Sequence, residues 1–247
     1  MNQRSQIVCA WVTVISVVFL AIGFFLVTGY VPPPHANDTA QQLAHFYVSH
    51  RTRLRIGLVI TLLAWSGYGP MTAVISVQML RIEGHRRPVL SVLQALAGTA
   101  GWACLLIPTM LLCVATFRAG SVSAQTTQTL HDIGWITAFM AVPPFVVQLA
   151  AIAGAILQDH SPQPVFPRWL GYFNIWAAVA FLPGVLLVFF KSGPFSYHGL
   201  FVFWVPFVVF GAWILIMALA ARQAALNDAE EPAPATGHPA PAAAGIA

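Results

Sequence analysis

Residues 200–221 read LFVFWVPFVVFGAWILIMALAA, a run in which no side chain carries a charge. A helix rises 1.5 Å per residue, so about 20 such residues cross a hydrocarbon core of about 30 Å. A run of this length therefore reads as a membrane span. Five more apolar runs stand at about 7–30, 54–80, 89–117, 130–157 and 169–190. Each is continuous rather than alternating, which excludes barrel strands, and an open sheet edge has no place in lipid. The expected fold is all-α: a polytopic integral membrane protein built as a bundle of six transmembrane helices.

Composition leads to the same class. Hydrophobic residues make up 58% of the 247 and charged residues 7%, against about 25% charged in an average soluble domain. Eleven Lys+Arg and seven Asp+Glu cannot coat a water-facing surface. A soluble domain, a mostly disordered chain, a coiled coil and a collagen are all excluded. The net charge of +4 comes from basic residues scattered over short loops and span ends, where topology and headgroups call for them. The partner implied is the lipid bilayer, not nucleic acid. Cys9, Cys104 and Cys113 fall inside apolar runs, so they form neither a disulfide framework nor a CxxC metal site. The apolar run after MNQRSQ is too long for the core of a signal peptide and has no small-residue cleavage site close behind it, so it reads as an uncleaved first span.

The six spans define a domain over 1–222, and the Ala/Pro-rich stretch 223–247 reads as a disordered C-terminal tail. The longest connection runs from Val31 to Arg53. Its three prolines force an extended exit from span 1. Asn37 or Asp38 is then the expected cap of an amphipathic helix in this first outer loop, with Leu43, Phe46, Tyr47 and His50 on one face. This helix is expected to lie flat on the membrane or to fold over the bundle. An even number of spans puts both termini on one side. That side carries Arg4, Arg81, Arg86, Arg87, Arg168 and Arg222, against Arg51, Arg53, Arg55, Arg118 and Lys191 opposite. The small excess suggests a cell-membrane protein with both termini in the cytoplasm.

Two groups of residues are candidates for chemistry. The first is a ligand pocket around Pro143, Pro144, Gln148, Asn174 and Trp176, where a mid-span proline pair, two amides and an aromatic wall could share a notch. The plainer alternative is an ordinary kink with interhelical hydrogen bonds. The second is a proton or metal cluster of His45, His50, His131, Asp132 and His198 on the outer face. Imidazole ligates metals and titrates near neutrality, and a carboxylate inside a span is costly enough to need a reason. Spacing argues against it: His45 and His50 lie about 140° apart around a helix, unlike the i, i+4 pair of a zinc protease. Asp132 has a structural alternative in pairing with Arg118.

No phosphate-binding glycine loop, GxSxG elbow, HExxH pair or arginine-rich voltage sensor is present, and no repeat relates the two halves of the chain. The sequence names no cofactor and no metal. The leading expectation is a protein without catalytic activity of its own, binding a small hydrophobic ligand or lipid, or serving as a subunit beside a membrane protein partner or a second copy of itself. The rivals are a permease or proton-coupled carrier and a membrane-embedded enzyme with a His/Asp site at the outer face.

Overall fold

A computed structural model describes residues 3–84 and 87–228, and among these it contains helices and no strand. Six long helices are apolar enough to cross a membrane: α1 (Gln3–Val27), α3 (Arg51–Glu83), α4 (Val89–Arg118), α5 (Ala124–Gln158), α6 (Arg168–Phe189) and α7 (Leu200–Asn227). A short helix, α2 (Ala40–Ser49), sits between α1 and α3. Each span packs against its neighbours in sequence, and α7 closes the ring by packing on α1. Gln3 and Asn227 end on the same face, called the near face below; the opposite face, with α2, is the far face.

The observed ends differ from the apolar runs for local reasons. α1 stops at Val27 rather than residue 30, and Gly29, at φ +68°, then turns the chain. That is a left-handed conformation which glycine adopts at no steric cost. α5 starts at Ala124, before residue 130, because the Ser123 hydroxyl accepts from the Thr126 backbone N–H at 3.1 Å and caps polar turns that continue into the apolar run. α7 continues to Asn227, past the expected start of the tail at 223. The rest of the expected tail, from residue 229, lies outside the described residues, as do His85 and Arg86.

α2 forms as the periodicity predicts, with one correction at its cap. Thr39, not Asn37 or Asp38, is the N-cap. Its hydroxyl accepts from Gln42 N at 3.3 Å, and the Gln42 side chain accepts from Thr39 N at 2.9 Å, a reciprocal capping box. The Asp38 carboxylate is engaged elsewhere, accepting from His35 N at 2.9 Å. Leu43 and Tyr47, one turn apart, are buried, and α2 packs on the first half of α5, folding over the bundle.

The core has two centres. One fills the near half with residues of α3, α5, α6 and α7, including Met71, Ile75, Leu149, Ile152 and Trp213. The other fills the far half and is richly aromatic, with Tyr30, Tyr47, Trp135, Tyr197 and Phe203. Where α1 crosses α3 in the far half the backbones nearly touch. A Cβ on Gly57 would lie 2.6 Å from Thr28 N and 2.7 Å from Gly23 O, so only glycine fits there.

Candidate functional site

Every span departs from regular α-helix or carries a proline toward its middle or far end. α1 winds as π-helix over Ala21–Val27, and α3 takes a 3-10 step at Trp65–Gly67. α4 carries Pro108, and α5 breaks at Ala141 just before Pro143 and Pro144. α6 tightens to 3-10 from Leu182, with Pro183 in its first turn, and α7 opens with a π turn ahead of Pro206. A proline lacks the N–H that an α-helical turn needs and crowds the preceding carbonyl, so the backbone locally leaves the α geometry.

These departures surround one cavity. It measures about 180 Å³ and is lined by residues of all six spans, including Phe24, Trp65, Pro108, Phe139, Ala141, Gly184, Phe207 and Phe210. Its surface is almost wholly apolar. The Thr61 hydroxyl donates to its own helix at Gly57 O (2.8 Å), and the Thr109 hydroxyl donates to Leu105 O (2.8 Å) while accepting from Trp65 Nε1 (3.1 Å). For scale, an engineered apolar cavity of about 150 Å³ stays dry and binds benzene.

Below the cavity, toward the near face, lies a polar ladder between helices. The Tyr68 hydroxyl donates to Gln148 Oε1 at 2.6 Å, and the Tyr68 ring stands beside Phe145, Phe210 and Trp213. Ser76 bonds Gln94, Gln78 bonds Gln6, and Arg81 reaches Gln78 Oε1 at 2.7 Å and Asp228 at 3.2 Å. Trp213 Nε1 donates to Asn174 Oδ1 at 2.9 Å, and Asn174 Nδ2 donates to Leu170 O at 2.8 Å. Asn174 thereby ties α6 to α7.

Above the cavity, toward the far face, a second chain of hydrogen bonds runs under α2. The Tyr30 hydroxyl donates to the Tyr47 hydroxyl at 2.9 Å, and Tyr47 lies 2.9 Å from His131 Nδ1. Burial pushes both phenols well above their ordinary range, so both keep their protons. With Tyr30 donating, the Tyr47 proton is free for Nδ1, and in that arrangement His131 is the Nε2–H tautomer. Tyr197 donates to Asp132 Oδ1 at 3.4 Å; burial, and then the Asp132 charge, raise the Tyr197 pKa as well. At the rim, His35 Nδ1 and His198 Nε2 are 2.9 Å apart.

The residues singled out in sequence are dispersed. Of the first group, Gln148 and Asn174 are buried but sit in separate hydrogen-bond sets, Pro143 is exposed, and Trp176 is 55% exposed. Trp176 lies two residues from Asn174, about 200° around the helix, and so on the opposite face. Pro143 and Pro144 restart α5 after its break. None of the five lines the cavity. Of the second group, His45 bonds Ser49 in its own helix and His50 bonds back to Phe46 O, both exposed. His131 joins the two tyrosines, Asp132 faces Tyr197 rather than Arg118, and His198 joins His35. Among the described residues, no three His, Cys, Asp or Glu side chains are grouped to hold a metal ion.

Sequence reasoning missed the aromatic lining, the Tyr30–Tyr47 pair and Trp135. The available signal was the HxxxW spacing of His131 and Trp135, which puts an imidazole and an indole on one helix face. Comparison with known protein families, curated proteins and solved structures found no match to this chain.

Proposed function

We propose that this membrane protein holds a small lipophilic molecule in the cavity between its six spans, without a catalytic centre of its own. The observation that carries this reading is an apolar chamber of about 180 Å³ at which the backbone irregularities of five spans and Pro108 of α4 meet. Helix breaks at a common depth are costly to maintain, and here they surround an apolar space instead of a polar path. A carrier reading would call for ionisable groups along a route through the bundle; Asp132 is engaged with Tyr197 above the chamber.

The orientation we favour puts both termini in the cytoplasm of a cell-membrane protein. Two of the far-face arginines have structural work. Arg53 donates to Val27 O and Leu26 O at the end of α1, and Arg55 donates to Thr116 O and Phe117 O at the end of α4. As C-terminal caps they satisfy free helix carbonyls. Discounting them leaves the positive excess on the near face.

The test uses Gly211, a cavity-lining residue at which an added Cβ would meet nothing within 4 Å. A leucine there fills the chamber. Toluene at saturation should raise the thermal midpoint of the purified wild type in detergent, since a ligand at 100 times its Kd stabilises by about 2.7 kcal/mol. Gly211→Leu should unfold no earlier than wild type and should not respond to the ligand. Equal shifts in the two proteins would refute a cavity site.

A further inference from the structure

Trp135 is the one cavity-lining side chain whose polar atom, Nε1, is buried without a hydrogen-bond partner among the described residues. One helical turn away, on the far side of the cavity wall, His131 Nε2 is buried and unpartnered too. The two side chains are 2% and 0% exposed, and their ring centroids lie 6.1 Å apart. The Tyr30, Tyr47, Nδ1 order of donation makes His131 Nε2 an N–H, and indole Nε1 is only ever a donor. Two N–H donors, one on a cavity-lining side chain and one a turn behind it, thus lie at the far end of an apolar chamber, with no unpartnered side-chain acceptor beside them among the described residues. Their surroundings are rings: Phe24, Tyr30, Phe139, Tyr197 and Phe203 around Trp135.

Such a pair selects its ligand by chemistry. A water accepting from both donors brings two O–H groups of its own, for which the lining side chains offer only the Thr61 and Thr109 hydroxyls, both already bonded to their own helices. A hydroxyl ligand has the same difficulty with its one proton. A carbonyl oxygen has two lone pairs and no proton, and the carbon skeleton behind it suits the apolar lining. We infer that the chamber takes a lipophilic carbonyl compound, its oxygen accepting from Trp135 Nε1–H and His131 Nε2–H at the far-face end while its hydrocarbon part fills the space toward Phe210. Both nitrogens lie among rings, so the oxygen reaches them by displacing a ring edge. The inference rests on the cavity reading above and adds the headgroup.

Two matched probe pairs test it on purified full-length protein, each affinity being corrected for partition into empty micelles. One pair is 2-hexanone against hexane, and the other is methyl-benzoquinone against toluene. The ketone pair presents a chain carbonyl and the quinone pair a ring carbonyl, so the arm that discriminates identifies the source. In at least one arm the carbonyl probe should bind about tenfold tighter than its hydrocarbon partner, the size of one hydrogen bond in an apolar site. Trp135→Phe should reduce that ratio clearly below tenfold, with His131 still donating. His131→Phe should also reduce it; if that variant fails to fold, Trp135→Phe alone decides. A ratio near one in wild type in both arms overturns the headgroup inference alone. So does a tenfold ratio that survives Trp135→Phe, the result expected if the indole N–H is already spent on the face of Tyr30. If no probe of either kind binds wild type, the cavity reading falls with it.

Discussion

The near and far halves of the bundle set their buried polar groups among different neighbours. In the near half, amides and hydroxyls from α1, α3, α4 and α5 mostly answer one another. Its leftover side-chain atoms among the described residues are Thr72 Oγ1, Gln94 Nε2, Trp102 Nε1, Gln148 Nε2 and Arg222 Nε, of which Thr72 Oγ1 and Gln148 Nε2 lie within 2.9 Å of where a Cβ on Gly98 would sit. A hydroxyl accepts as well as donates, so a small shift or a single water completes that pair. In the far half the leftover atoms are both N–H donors among aromatic rings, and nothing local completes them. A buried donor without a partner costs about 1–3 kcal/mol. The near half thus spends its polarity on holding helices together, while the far half keeps some in reserve beside an apolar space.

The largest effect should come from the far-half crossing of α1 and α3. Gly57→Ala drives a methyl into the Thr28 and Gly23 backbone, which cannot rotate aside, and should lower unfolding stability in detergent by about 3 kcal/mol. Gly98→Ala meets only the side chains of Thr72 and Gln148 and should cost clearly less. Equal losses would mean that the near half is packed as rigidly as that crossing.

Two tyrosine deletions then sharpen the contrast. Tyr47→Phe removes the link between Tyr30 and His131 and should cost about 2 kcal/mol, because two buried groups lose their partner. It also frees His131 Nδ1, so the tenfold preference for a carbonyl probe should shrink. Tyr68→Phe removes the donor to Gln148 and should cost about 1–2 kcal/mol with the carbonyl preference untouched. A change of ligand preference in Tyr68→Phe, and none in Tyr47→Phe, would reverse the roles assigned to the two halves.

The smallest effect is a pH dependence at the far rim. His198 has its pKa lowered by burial and then by the neighbouring His35, with Asp38 opposing. Its folded value lies below the unfolded value of about 6.5, so the unfolded chain binds more protons and stability rises with pH. The contribution is fully present above about pH 6.5 and is lost as the pH falls below that value toward the folded pKa. Protection factors of the amides in residues 31–39 and 194–199, with the acid slowing of intrinsic exchange divided out, should therefore drop between about pH 7 and pH 5. His198→Gln should flatten this trend, and an unchanged slope would remove the histidine pair from the account of the rim.

Much of the fold was legible in the sequence because lipid imposes a length and a polarity on every span. Arg222 marks the end of the apolar run near Ala221, although the helix itself continues to Asn227 with Ala224 and Ala225 still buried. The capping of α2 was misplaced by one or two residues because Asn37, Asp38 and Thr39 are all good caps. Only the reciprocal bond to Gln42 separates them. The cavity was not legible, because an apolar side chain facing lipid and one facing a chamber read alike. Trp176 and Trp135 are both tryptophans within a span, yet one is 55% exposed and the other 2%. Which face of a span turns inward is settled by helix breaks and neighbours, and one sequence carries little of that.

The most direct measurement is organic extraction and mass spectrometry of wild type and Gly211→Leu purified side by side from the same membranes. Wild type should release a near-stoichiometric lipophilic molecule bearing a carbonyl, and Gly211→Leu should release only the bulk lipids common to both. The same small molecule recovered in equal amount from the two proteins would contradict a ligand site between the six spans.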